Sequence, residues 1–467
     1  MYDILLAASV LVFLVTCLVY IRHPAASLHH PASFYLGFHG FLFVIRPILA
    51  RIYDYDFIYR VYQFQPSLAD KITVIVGANI ALLTFVAVSL RIASLPVTPA
   101  QSHTFAKARK FAALPIALAS VALLPISIWA LLQNWQRRAN VFDDMVIDAA
   151  TGTATNSQAI GWLTEAGLMM APLSVIIVWL ARYRWWSWPV FLGFLVLQAG
   201  TGTRAPLIYA VTALIVLYLL EKRRAWPEWR SVVLAGLGAL AFSQIVIDRG
   251  GAVRDLFADE SESRYLDTRE YSPFEHMDYG SLEYFEYLVF AVPQRTGSYD
   301  YFAHNLQIFT EPVPRVLWRD KPIGSPLQFF KLWDYGRPTG MTYSLPGAGW
   351  MSLGYLGIVI QAGFFAMLFA VFYNRTLIYR DSAMARMLFA LVIAMAPLVF
   401  RDGILLTFLR NLPFFVGPFV AIYLLARFSG LGRAPDAPGW SAAPLRDDLS
   451  APAERRRMLA AQADVAR

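Results

Sequence analysis

The chain has 467 residues, of which 57% are hydrophobic and 15% are charged, against roughly 45–50% and 25% in soluble globular proteins. This composition excludes a soluble enzyme, a disordered chain and a secreted disulfide scaffold. The net charge of +8 is interpreted as an orientation signal of a membrane protein and not as a nucleic-acid-binding surface, and the single cysteine, Cys17, excludes an intramolecular disulfide and a cysteine-based metal site.

Apolar segments recur along the chain, and a spanning helix needs roughly 20 apolar residues. We predict an all-α, polytopic membrane protein of about eleven transmembrane helices. The predicted spans are 4–21, 32–50, 72–90, 111–132, 164–181, 185–199, 205–220, 231–247, 351–373, 387–400 and 412–428. The first is interpreted as an anchor, because it has neither a positive n-region nor a small-residue cleavage site.

Lysine and arginine in the short loops mark one side of the predicted bundle as cytoplasmic. They lie between spans three and four, five and six, seven and eight, and nine and ten. The N-terminus is then outside and the C-terminus inside. The transmembrane domain comprises residues 1–430 and includes a large outer loop at 248–349, for which we expect short helices packed over the membrane face. Residues 431–467, rich in Ala, Pro, Arg and Asp, are predicted to be a disordered cytoplasmic tail.

The most distinctive segment of the outer loop is Glu311–Gly324. Arg315, Arg319 and Lys321 fall within seven residues beside Trp318, and prolines stiffen the segment, so little entropy is lost when it binds a ligand. Such a loop could bind a phosphate or a sugar, and the Trp318 indole would provide a face on which a pyranose stacks. The alternative is a solvated, proline-rich connector.

Arginines also occur at the outer ends of predicted spans, where they are usually functional or paired. These are Arg46, Arg204, Arg249, Arg401 and Arg410. A cluster of them suits an anionic lipid in the outer leaflet, such as a polyprenyl pyrophosphate. The alternatives are local pairing of Arg401 with Asp402 and of Arg249 with Asp248, and snorkelling of Arg46 and Arg410 to headgroups. Arg204 directly precedes a helix start, where the free N–H groups also favour an anion.

Two segments resemble a known family. Gly202-Thr203-Arg204-Ala205 resembles the Ser/Thr-Arg-Gly/Ala signature of Wzy-type O-antigen polymerases and of O-antigen ligases. Val313–Pro322 resembles the Pro-Arg-x-x-Trp-x-x-Lys-Pro segment of bacterial oligosaccharide repeat-unit polymerases, and the plan of many spans with one large late loop is similar. The family's Arg-x10-Gly spacing is not found, because Ile215 and Pro326 occupy those positions.

The resemblance implies a metal-independent glycosyltransferase of the bacterial inner membrane, with a GT-C-like multi-span bundle, no cofactor, and the N-terminus and large loop in the periplasm. It would transfer a growing glycan from undecaprenyl pyrophosphate onto a lipid-linked repeat unit of an O-antigen, capsule or exopolysaccharide. A chain-length regulator and a flippase are the partners that the resemblance suggests.

The leaving pyrophosphate needs charge stabilisation more than protonation. Arg204, Arg315 and Lys321 are therefore expected to contact it. Substrate-binding candidates are Arg249, Trp318, Arg319, Asp320, Tyr343, Arg401 and Arg410, and Trp350 is a further candidate for the sugar path. The acceptor hydroxyl needs a general base. The candidates are His304, Asp320, His276 and Glu283, and His304 ranks first because it lies on a predicted short helix just before the basic segment.

Three other functions stay open. An O-antigen ligase shares the architecture. A transporter or flippase would place ionisable residues near the bilayer midplane, where this sequence has few. A glycosyltransferase that uses polyprenyl monophosphate sugars would need early paired acids, for which Asp54 with Asp56, or Asp143 with Asp144, are candidates. Asp259, Glu260 and Glu262 are acids of the outer loop that are more typical of a solvated loop than of a cation site.

Overall fold

The computed structural model describes residues 1–97, 102–139, 145–147, 154–156, 165–200, 205–229, 275, 279–310, 313, 318, 330–336, 342–379 and 382–429. The first half of the described chain contains the helices α1 Tyr2–Ile21, α2 Pro31–His39, α3 Arg46–Ile52, α4 Phe57–Tyr62, α5 Leu68–Ile92, α6 Ser102–Ala139, α7 Met170–Leu180, α8 Trp188–Gly200 and α9 Ala205–Lys222. The second half contains α10 Ser281–Ala291, α11 Ala303–Leu306, α12 Leu345–Tyr373, α13 Ala383–Ala394, α14 Ala396–Asp402 and α15 Leu405–Phe428.

Shorter elements join these helices. A π-helical turn, Gly40–Ile45, makes α2 and α3 one continuous segment, and a second, Asn374–Ile378, extends α12. In the described part of the chain, four 3₁₀ turns occupy Ala166–Met169, Trp185–Ser187, Gln307–Phe309 and Leu332–Tyr335. An antiparallel hairpin of β1 Met145–Ile147 and β2 Ala154–Asn156 pairs Val146 with Thr155. It is the exception to the predicted all-α fold within the described residues.

Eight helical segments of the described chain are long and apolar enough to cross a membrane, which supports the prediction of a polytopic membrane protein. They are Tyr2–Ile21, Pro31–Ile52, Leu68–Ile92, Thr104–Asn134, Ala205–Lys222, Leu345–Ile378, Ala383–Asp402 and Leu405–Phe428. Two shorter apolar helices, Ala166–Leu180 and Trp185–Ala199, overlap the predicted spans five and six. Span 231–247 lies outside the described residues, so the total of about eleven stays a prediction.

Burial separates central from peripheral spans. Ala383–Asp402 is the most enclosed, with 89% of its apolar window buried, whereas only 22% of the window of α1 is buried. The exposed side of α1 is apolar, with Leu11, Leu14 and Val15 more than half exposed. A continuous apolar surface of this kind fits lipid and not water.

The helix ends define two faces of the bundle. On one, which we call the basic face, the α1–α2 connection meets the ends of α5 and α9: the Leu28 N–H donates to the Ala225 carbonyl at 2.8 Å, and the His30 Nε2 lies 3.1 Å from the Ala93 carbonyl oxygen. On the other, which we call the loop face, residues 279–310 and 342–344 cover the ends of α3, α14 and α15. Basic loop residues predicted to be cytoplasmic, including Arg109, Arg223 and Arg386, belong to helix ends at the basic face.

Candidate active site

A break in α12 docks the chain around residue 300 onto the membrane bundle. Leu353 and Gly354 leave helical geometry, and Gly354 has a φ of +60°. The carbonyls that precede the break are free to accept other donors, and the N–H of Asp300 bonds to the Met351 oxygen at 3.0 Å while the N–H of Tyr301 bonds to the Ser352 oxygen at 3.1 Å. The loop segment is therefore fixed to a spanning helix by main-chain hydrogen bonds.

This docking buries a carboxylate–imidazole pair, Asp300 and His304. The Nδ1 of His304 is hydrogen-bonded to the Oδ2 of Asp300, and the exposed fractions of the two residues are 4% and 2%. The other oxygen, Oδ1, accepts the N–H of Phe302 at 3.0 Å, so the carboxylate cannot rotate freely. Asp300 lies before α11, and Tyr301 and Phe302 have φ values of +50° and +64°, so a non-helical turn brings the two side chains together.

Asn305 sets the tautomer of His304. The Asn305 Oδ1 accepts the Leu405 N–H at 2.9 Å, which identifies the other amide atom as the nitrogen. That nitrogen, Nδ2, lies 3.2 Å from the His304 Nε2. Because an amide nitrogen only donates, the Nε2 of His304 must accept, and the ring proton lies on Nδ1 toward Asp300. In this tautomer the Nε2 carries a lone pair that can accept a hydrogen bond or a proton.

Gln361 connects this pair to the turn between α14 and α15. The Asn305 Nδ2 also donates to the Gln361 Oε1 at 3.0 Å, and the Gln361 Nε2 donates to the Gly403 carbonyl at 2.6 Å. Gly403 has a φ of +67°, and a Cβ at this position would overlap the Ser344 carbonyl oxygen. Only glycine fits this close approach.

The same turn holds Arg401, one of the arginines predicted from the sequence. The Arg401 Nε donates to the Thr342 Oγ1 at 3.2 Å, and the Arg401 carbonyl accepts the Ser344 N–H at 2.6 Å. Tyr343 lies between these two contacts, with its ring centroid 5.2 Å from that of Tyr284. His304, Arg401 and Tyr343 thus belong to one hydrogen-bonded layer of the loop face, as a site on this face requires.

The other described candidates have separate environments. The Arg410 Nη2 donates to the Glu165 Oε1 at 2.8 Å and the side chain is half exposed. Trp318 is 39% exposed. Trp350 is buried, and its Nε1 donates to the Val292 carbonyl at 2.9 Å, so its indole holds the loop in place.

Glu283 and Arg46 form a buried ion pair. The Arg46 Nε lies 2.9 and 2.8 Å from the two Glu283 oxygens, and the two side chains are 2% and 1% exposed. The pair engages the Glu283 carboxylate, which leaves it poorly suited to serve as a general base. The idea that Arg46 snorkels to headgroups is wrong, because its charge is neutralised inside the protein.

Glu286, one turn further along α10, is a second buried carboxyl. It accepts the Tyr59 hydroxyl at 2.6 Å, and the Lys71 ammonium lies 4.9 Å from the centre of the Tyr59 ring. Burial raises the pKa of Glu286 to about 7, against the opposing effect of Lys71. A glutamate that titrates near neutrality is therefore packed beside the Arg46–Glu283 pair.

Most of the basic residues predicted to bind pyrophosphate lie outside the described residues. These are Arg204, Arg249, Arg315, Arg319 and Lys321, together with the acids and bases Asp143, Asp144, Asp259, Glu260, Glu262, His276 and Asp320. For Arg204 the next residue is described: α9 begins at Ala205. Because α9 ends at the basic face, its first residue lies at the loop face.

Sequence reasoning missed Asp300, Asn305 and Gln361. Asp300 gave no helical signal, because it reaches His304 through the left-handed residues Tyr301 and Phe302 and not along a helix. Gln361 gave no signal, since its partner lies 56 positions earlier in the chain. Among the described residues, no three His, Cys, Asp or Glu side chains come together as a metal site.

Comparisons of this chain with family models, with curated proteins and with solved structures give no match.

Proposed function

We propose that this chain is a glycosyltransferase of the bacterial inner membrane that polymerises lipid-linked oligosaccharide repeat units. The observation that carries the proposal is the buried Asp300–His304 pair, whose Nδ1 is bonded to the carboxylate and whose Nε2 lies 3.2 Å from the Asn305 amide nitrogen. An imidazole oriented by a carboxylate is suited to take a proton from an attacking hydroxyl. The pair lies on the loop face, in the hydrogen-bonded layer that also contains Arg401.

In the proposed reaction the acceptor hydroxyl takes the place of Asn305 as the partner of the His304 Nε2. The hydroxyl oxygen forms a bond to the anomeric carbon of the growing glycan while the bond from that carbon to the pyrophosphate oxygen breaks. The proton passes to Nε2, and the resulting imidazolium is stabilised by the Asp300 carboxylate. The pyrophosphate leaves as an anion, so it is stabilised by nearby cations and does not need a general acid to protonate it.

Arg401 is the described cation assigned to a lipid-linked phosphate, since a guanidinium binds phosphate in a two-pronged geometry. Arg204, Arg315 and Lys321 are proposed to contact the donor pyrophosphate, and Arg410 to assist with the acceptor. The proposal also places the loop face in the periplasm and the basic face in the cytoplasm, within a GT-C-like bundle of about eleven spans.

The lipid-linked sugar profile of a deletion strain tests this function. Loss of a polymerase leaves single repeat units attached to the final acceptor, loss of a ligase leaves none attached, and loss of a flippase keeps unpolymerised precursor on the cytoplasmic side. The proposal expects the first profile, and either of the others contradicts it. Complementation with Arg401→Ala should not restore polymer and Arg401→Lys should restore it poorly, whereas the control Arg60→Ala, an exposed arginine of the same face, should restore it fully.

A further inference from the structure

The loop-face chain on either side of residue 299 exposes two different kinds of surface. Between 293 and 298 the exposed residues are polar or glycine, namely Gln294, Arg295, Gly297 and Ser298. Between 299 and 310 the exposed residues are all apolar or aromatic: Tyr301 at 63%, Leu306 at 59% and Phe309 at 79%. We call these last three side chains the apolar rim. The change from polar to apolar exposure indicates that the two parts of the chain contact different solvents.

The apolar rim is fixed to the membrane bundle. The Tyr301 N–H donates to the Ser352 carbonyl at 3.1 Å, and the Leu405 N–H at the start of α15 donates to the Asn305 Oδ1 at 2.9 Å. The turn that carries Phe309 also contacts α15. The exposure of the rim therefore belongs to a segment that is held in place.

Asn305 shows the depth of this segment in the bundle. Its side chain is bonded to Gln361 of α12 and to Leu405, the first residue of α15. The last turns of α12 lie at the basic face, beside the end of α5, and a rise of 1.5 Å per residue places Gln361 about 25 Å from the end at Ile378. The 24 residues of α15 span about 36 Å by the same rise.

The hydrocarbon core of a bilayer is about 30 Å thick, a value between these two lengths. Asn305 therefore lies near the depth at which hydrocarbon meets the headgroups on the loop face. Tyr301 and Leu306, on either side of it along the chain, are at a similar depth.

The apolar rim begins beside a surface that faces lipid. The spanning part of α12 exposes Tyr355, Leu356, Val359 and Ile360, at 39% to 58%, and this spacing places them on one side of the helix. Tyr355 follows Ser352, the partner of Tyr301, by three residues. Exposed tyrosines at this depth are typical of the aromatic belt of membrane proteins.

We propose that the apolar rim inserts into the bilayer leaflet on the loop face and contacts phospholipid acyl chains there. His304 lies in the chain between Tyr301 and Leu306, so this contact holds the Asp300–His304 pair at the depth of the lipid headgroups. A substrate carried by a lipid has its polar head at the same depth. The proposal does not depend on the glycosyltransferase function, because it concerns only the contact of this segment with the membrane.

The test measures which solvent a spin label contacts at the rim. Leu306→Cys and Phe309→Cys are made singly in a full chain that carries Cys17→Ser, labelled with a nitroxide and reconstituted into phosphatidylcholine vesicles. Molecular oxygen concentrates in hydrocarbon, whereas a polar nickel chelate stays in water. The ratio of the two collision rates, measured by electron paramagnetic resonance, therefore distinguishes lipid contact from water contact.

Two control labels calibrate this ratio. Leu356→Cys lies on the lipid-facing side of α12, and Ser298→Cys lies in the polar part of the same loop-face chain. We expect the labels at 306 and 309 to give an oxygen-to-nickel ratio several-fold above that at 298 and close to that at 356. All four variants should keep the unfolding midpoint of the Cys17→Ser parent, because the replaced side chains are exposed.

Two results would overturn the proposal. If either rim label gives the ratio of the Ser298→Cys label, the rim contacts water. If either rim label is screened from both reagents, another part of the chain or a second copy covers the rim in place of lipid.

Discussion

Arg46 and Glu283 lie 237 positions apart in the chain and form an ion pair in which the Arg46 Nε donates to both Glu283 carboxylate oxygens, at 2.9 and 2.8 Å. The pair joins the end of the second membrane segment to α10 of the loop face. Nearby, the Glu275 carboxylate accepts the N–H groups of Asp56 and Phe57 at 2.8 and 2.7 Å. These buried contacts fix the loop-face chain to the bundle, and this attachment gives the Asp300–His304 pair a rigid base.

Replacing one partner of this pair should be much worse than replacing both. Arg46→Met leaves the Glu283 carboxylate buried and unpaired, and we expect the free energy of unfolding to fall by about 3–5 kcal/mol. The double variant Arg46→Met/Glu283→Leu also removes the unpaired carboxylate, and it should recover most of that loss. Denaturant unfolding in micelles measures both values. In the control Arg51→Met, which breaks an exposed pair with Asp3, the loss should stay below about 1 kcal/mol. A double variant as unstable as Arg46→Met would contradict the assignment of Arg46 and Glu283 as a buried ion pair.

Glu286 predicts a pH-dependent stability. Its pKa is about 7 in the folded chain against 4.5 in the unfolded one. Below pH 4.5 both states hold the proton. As the pH rises from 4.5 to 7, the unfolded state releases the proton and the folded state keeps it, so this residue makes the free energy of unfolding fall. Above pH 7 the loss is complete.

Glu286→Gln should remove this contribution while keeping an oxygen for the Tyr59 hydroxyl. The variant should be more stable than the wild type at pH 8, by about 3 kcal/mol at most, and the difference should shrink toward zero as the pH falls to 4.5. Unfolding midpoints across this range measure it. A difference that does not change with pH would show that the pKa of Glu286 is the same in the folded and the unfolded chain.

Gly403 should tolerate no side chain. A Cβ there would overlap the Ser344 carbonyl oxygen and lie 2.6 Å from the Ala348 Cβ, so Gly403→Ala should displace the turn that carries Arg401 and lower both stability and activity. Gly417, inside α15, has open space within 4 Å of the position that a Cβ would occupy. Gly417→Ala should therefore leave stability unchanged or raise it by up to about 1 kcal/mol. Equal midpoints for the two variants would exclude the close approach at Gly403.

The sequence predicts the spans well because apolar length is a local property. Each predicted span other than 231–247 overlaps an apolar helix of the structure. The predicted short helix at His304 is also present, as α11. Pairings between residues far apart in the chain cannot be predicted in this way. The partner of Arg46 lies 237 positions later, on α10, and Gln361 contacts Asn305 and Gly403, which lie 56 and 42 positions away.

The measurement that tests the central claim most directly is the rate of polymer formation by purified full chain. The substrate is lipid-linked repeat unit extracted from the deletion strain, and the enzymes are the wild type, His304→Gln, Asp300→Asn and the control Arg60→Ala. If the His304 Nε2 is the general base, His304→Gln should lower the rate by about 10²- to 10⁴-fold. Asp300→Asn should also lower it strongly, because the wrong tautomer of His304 is then favoured, and the control should match the wild type. Polymer formation at the wild-type rate by a folded His304→Gln enzyme would contradict the account.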